Sequence, residues 1–125
     1  MIHCILANQG GFMAVVKFID EKSEVLARYL NLFLMRKLTY TQLNYFLWDT
    51  LQEWESLDIY DERTDSCKEE VFWHLLFELK NWTSQQIFSN RTLRQQLYTS
   101  ALFLQGQGTK PYDCVGIRPI PEFLD

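Results

Sequence analysis

Glu70, His74 and Glu78 recur at four-residue intervals within EEVFWHLLFELKNW, residues 69–82, so on a helix all three share one face. An imidazole with a carboxylate one turn away on each side can share a metal ion with them, or serve as a carboxylate-tuned general base. The plainer reading is a solvated polar stripe on which the glutamates favour imidazolium. A metal would need a ligand from elsewhere, and the only other histidine is His3, so the residue types weigh toward the stripe. Cys67 falls where a helix dipole would lower a thiol pKa, yet Asp65, Glu69 and Glu70 push the other way. His74 and Cys67 are therefore secondary catalytic candidates, and Glu70, His74 and Glu78 secondary metal candidates. Cys114 has no histidine beside it and reads as a small packed residue.

Other chemistry is thinly represented. The chain has no glycine-rich phosphate loop, no G-x-S-x-G and no H-E-x-x-H. Arg91 and Arg94, after a short helical segment, loosely suggest a helix-turn-helix. Two arginines make few phosphate contacts, and the acidic stretch would repel a nucleic acid, so that partner is disfavoured. Residues 49–70 carry nine acidic residues against Arg63 and Lys68, a local balance of −7. Beside this stretch, Tyr40, Tyr45, Trp48 and Trp54 are candidates for an exposed aromatic patch. A protein-binding surface then comprises Tyr45, Trp48, Trp54, Asp58, Asp61 and Glu62.

These side chains must be positioned by helices. Val25, Leu26, Tyr29, Leu30, Phe33, Leu34 and Leu38 recur at helical spacing and predict a helix from about Ser23 to Leu38. Thr39-Tyr40-Thr41-Gln42 has the form of a capping box and opens a second helix, Tyr40 to about Leu57. Ser66-Cys67-Lys68-Glu69 repeats the pattern for the helix that carries His74, ending near Trp82. Thr83-Ser84-Gln85-Gln86 starts a short turn, and Asn90 caps a last helix from Arg91 to about Gln105, stopped by Gly106 and Gly108. The sequons at Asn81 and Asn90 read more simply as helix boundaries. The first twenty residues leave two readings: IHCILA and FMAVVKFI as a hairpin around Asn-Gln-Gly-Gly, or residues 1–12 as an extension ahead of a start at Met13.

With 125 residues, 47% of them hydrophobic and 15% aromatic, the chain suits one domain with a sizeable core. The expected fold is all-α: four main helices, a short extra helical turn and an extended C-terminal tail over 106–125. The alternative is α+β with the N-terminal hairpin. Three prolines make the tail extended, and Tyr112, Val115, Ile117, Ile120, Phe123 and Leu124 predict that it packs on the body. Arg118 is expected to reach a carboxylate of the acidic stretch, with Asp49 and Glu53 of the second helix foremost. A net charge of −4, no membrane-length apolar run and three scattered cysteines point to the cytoplasm, with no cofactor. The leading function is a non-enzymatic interaction or regulatory protein that binds another protein or itself. The competing one is a small metal-dependent or thiol enzyme built on His74.

Overall fold

The structure, a computed structural model, describes residues 11–57, 66–111 and 113–119, and for residues 11–13 the backbone alone. The hairpin's first strand, the acidic residues Asp58, Asp61 and Glu62, and the tail's Tyr112, Ile120, Phe123 and Leu124 lie outside it.

The fold is all-α: α1 spans Gly11–Leu34, α2 Tyr40–Leu57, α3 Cys67–Asn81, α4 Ser84–Ser89 and α5 Arg91–Leu104, and no strand occurs among the described residues. The segment FMAVVKFI belongs to α1, which removes the hairpin. The helix begins a dozen residues before the expected Ser23, because Val15, Phe18 and Ile19 continue the stripe of Leu26, Ala27, Leu30 and Phe33 with one period. Ser23 bridges the two runs, fully buried, and its hydroxyl has no partner.

Helix α1 also stops earlier than Leu38. Arg36 adopts a left-handed φ of 60°, and its N–H donates to the Phe33 carbonyl at 3.0 Å while that of Lys37 donates to Leu32 at 2.9 Å. This is a Schellman ending, in which the chain reverses and satisfies the last carbonyls itself. Its guanidinium lies 3.8 Å from the centre of the Phe88 ring. The same motif closes α5, where glycine fills the left-handed position: Gly106 has φ 83°, and Gln107 donates to Leu102 at 2.9 Å.

The helix starts follow the sequence closely. Thr39 and Gln42 form a reciprocal capping box, as do Thr83 and Gln86, and Asn90 accepts from the Leu93 N–H. Only the box at α3 is half made. Ser66 accepts from the Glu69 N–H at 3.1 Å, but the Glu69 side chain turns into the protein instead of back to the cap.

Helix α1 is the central element and packs on α2, α3 and α5, while α3 also packs on α5 and α2. Rings dominate the core. Trp54 and Trp73 meet at 5.1 Å, Phe18 lies 5.4 Å from Trp54, and Phe72 lies 4.8 Å from Trp73. Farther up the bundle Tyr29 stacks on Phe46 at 4.3 Å, and Phe33 meets Phe88 at 5.0 Å.

Candidate functional site

The tail crosses the first half of α3 as an extended strap. Gly116 donates to the Glu70 carbonyl at 2.9 Å, and a Cβ there would lie 2.2 Å from the His74 backbone nitrogen, so only glycine permits the approach. Two residues on, Arg118 donates to both oxygens of Glu69 through one guanidinium edge, Nε to Oε2 and Nη2 to Oε1, each at 2.8 Å. Glu69 Oε2 also accepts from Trp73 Nε1 at 3.0 Å, and Trp54 Nε1 donates to the Pro119 carbonyl at 2.9 Å. A carboxylate only 6% exposed is thus matched by a fork-shaped cation and an indole. Nearby, Lys110 pairs with Glu70, and that hydrogen bond, opposed by some desolvation, holds the Lys110 ammonium above the ordinary lysine pKa.

This corrects two expectations. Arg118 does reach a carboxylate of the 49–70 stretch, but it is Glu69 on α3 and not Asp49 or Glu53 on α2; Glu53 instead pairs with Lys22 at 2.8 Å. The tail packs on the body, but Val115 and Ile117 point outward, 57% and 78% exposed, while Cys114, Gly116 and Arg118 turn inward. An extended chain shows alternate residues to opposite sides, and the α3 carboxylate sets which side faces in.

His74 is half-buried rather than fully solvated. It borders a cleft of about 550 Å³ between α3, α5 and the strap, together with Glu78, Leu97, Ser100, Asp113 and Cys114. The metal candidates do not converge. Glu70 is taken by Lys110, Glu78 accepts from Trp82 Nε1 at 3.1 Å, and no group of three metal-ligating side chains occurs among the described residues. Cys67 is exposed at the first residue of α3, two turns from His74. Cys114 is buried, as expected, with its sulfur 3.6 Å from Ser100 Oγ. His74 makes no side-chain hydrogen bond to a described residue, so no nucleophile and base stand in contact.

The aromatic patch is smaller than the sequence suggests. Trp54 is completely buried and belongs to the core, and the half-buried Tyr40 donates its hydroxyl to the Trp82 carbonyl at 3.0 Å. Tyr45 and Trp48 remain, 68% and 50% exposed and three residues apart on one face of α2. Lys80 from α3 sits 3.5 Å from the centre of the Trp48 ring, and burial there lowers its pKa. Sequence reading missed this cation because nothing local links residues 48 and 80.

Arg94 is engaged within the fold: its guanidinium donates to the Ile87 and Phe88 carbonyls at the end of α4. No helix among the described residues is long and apolar enough to cross a membrane. No family model, curated protein or solved structure matches this chain.

Proposed function

We propose that this chain is a non-enzymatic, cytoplasmic interaction module that binds another protein through the α2 face bearing Tyr45 and Trp48. The observation that carries the reading is the exposure of two large aromatic rings, side by side, on a molecule whose other tryptophans are buried or half-buried. Rings of this kind supply contact area at little entropic cost and recur as interface anchors. The acidic residues Asp58, Asp61 and Glu62 follow the same helix in sequence, so a partner with a basic surface would be attracted, more strongly at low salt. The free thiols Cys67 and Cys114 suit a reducing compartment.

The test is a pair of surface substitutions, Tyr45→Ser with Trp48→Ser, compared with the native chain in affinity capture at low and high salt. The expected result is an unchanged melting temperature and loss of a salt-sensitive partner. A capture profile identical in both proteins would remove the α2 face from consideration. The enzyme reading has weaker support, since among the described residues no group of three metal-ligating side chains occurs and no nucleophile is hydrogen-bonded to His74.

A further inference from the structure

From Val25 to Trp48 and again from Leu79 to Tyr112 the chain carries no acidic residue. The fold brings the two stretches together. Phe33 meets Tyr40 and Phe88, Tyr40 bonds to the Trp82 carbonyl, and Leu34 lines one hollow with Arg91, Arg94 and Tyr98. The end of α1, the start of α2, the end of α3, all of α4 and the start of α5 thus form one pole of the bundle. Among the described residues these segments hold Arg28, Arg36, Lys37, Lys80, Arg91 and Arg94, and their nearest carboxylates are Glu78, which accepts from Trp82, and Asp113 of the strap, which borders the cleft beside Leu93 and Gln95.

Ion pairing divides along the same line. The salt bridges Lys22–Glu53, Lys68–Asp20, Lys110–Glu70 and Arg118–Glu69 all lie in the opposite half. None of these six cations forms a salt bridge with a described residue; Arg36 and Lys80 lie over rings, and Arg94 donates to carbonyls. Two shallow hollows open between them, one by Arg36, Lys37, Tyr40 and Phe88, the other by Arg91, Arg94 and Tyr98. Both combine positive charge with apolar or aromatic walls and contain no carboxylate.

We infer that this pole is a docking surface for an acidic protein segment, one that alternates carboxylates with apolar side chains. Charge complementarity selects the sign of the partner, and the hollows select its character, because guanidinium groups grip carboxylates in pairs while the ring-lined walls take apolar side chains. A nucleic acid fits less well. The cations sit at the ends of separate helices rather than along a groove that tracks a backbone, and the chain's net charge of −4 opposes a long polyanion. Lys80 stands at the Trp48 ring, but neither hollow includes Tyr45 or Trp48, and the surface is of opposite sign to the acidic stretch, so substitutions at Lys37 and Arg91 test it independently of that reading.

The experiment uses fluorescence anisotropy with a labelled peptide of alternating glutamate and leucine carrying one tyrosine. Controls are its glutamine counterpart, an oligouridylate of equal length, and vesicles containing phosphatidylserine. At about 150 mM salt, where screening acts over about 8 Å, the glutamate peptide should bind and the others should bind at least about ten-fold more weakly. Lys37→Gln with Arg91→Gln, both exposed, should weaken peptide binding about ten-fold, whereas Lys17→Gln in the opposite half should leave it unchanged. Melting temperatures establish that all variants are folded. Three results overturn the proposal: no peptide binding tighter than about 1 mM, equal loss in both variants, or a preference for the oligouridylate or the vesicles.

Discussion

Glu69 shows how one side chain can leave a local role for a tertiary one. Its position in Ser-x-x-Glu suits a return bond to the helix cap, yet its carboxylate serves Arg118 and Trp73 instead. Breaking a buried pair leaves an uncompensated charge, so Arg118→Met should lower unfolding free energy by about 3 kcal/mol. Adding Glu69→Gln should recover part of that loss, because the amide can still accept from Trp73. Urea unfolding of single and double variants checks this, and equal losses would show that charge is not the cause. Ser23 predicts the opposite sign. Its buried hydroxyl lacks a partner, so Ser23→Ala should stabilise the protein by about 1 kcal/mol, through the hydroxyl removed and alanine's better helix propensity.

The helices α1 and α5 end in the same left-handed reversal with different residues, which separates backbone cost from side-chain gain. At Gly106 an added Cβ would meet nothing within 4 Å, so Gly106→Ala should cost about 1–2 kcal/mol from conformation alone. Arg36 already bears that cost and offsets part of it through Phe88. Gly116 in the strap is limited by space instead. Gly116→Ala must lift the strap from α3, at about 1–3 kcal/mol, and hydrogen exchange at the Trp54 indole should quicken with it. A variant with native stability and native indole protection would mean that the strap does not depend on this approach. The Lys110 anchor adds a pH signature. Its raised pKa means its contribution is present below the unfolded value near 10.5 and lost as pH rises through the folded one. Lys110→Met should therefore melt below the native protein at neutral pH and converge with it only in strongly alkaline solution.

For the whole molecule, the strap belongs to the cooperative unit. It supplies the acceptor for Trp54 and the cation for Glu69, at the point where α2, α3 and α1 share their largest rings. Removing residues 110–125 should lower the melting temperature by more than about 5 °C or make the protein insoluble. A truncated protein that melts with the full chain would show the strap to be dispensable. The charge separation between the two ends is also a whole-molecule property. Salt should therefore affect peptide binding at the cationic pole far more than it affects the melting temperature, since the strap's central ion pair is shielded from the solvent.

Helix number, most helix starts and the all-α class were legible in the sequence, because capping residues and apolar periodicity act within a few residues of the backbone they organise. Thr39, Ser66, Thr83 and Asn90 all cap as their types predict. The first helix was misjudged because Ser23 interrupts an apolar stripe that tertiary packing continues, and because a left-handed arginine gives no local signal. The candidate site was less legible. Whether Trp54 or Trp48 meets solvent depends on which side of α2 the strap and α3 cover, and residue type is the same in both cases. Arg118 could have chosen any carboxylate of the acidic stretch; the close approach at Gly116 sets the register that brings it to Glu69. The sequence determined the helices and the uneven distribution of charge along the chain. Only the tertiary structure decided which charges pair and which collect at one pole without an ion-pair partner among the described residues, because pairing depends on distances of a few ångströms between residues dozens of positions apart.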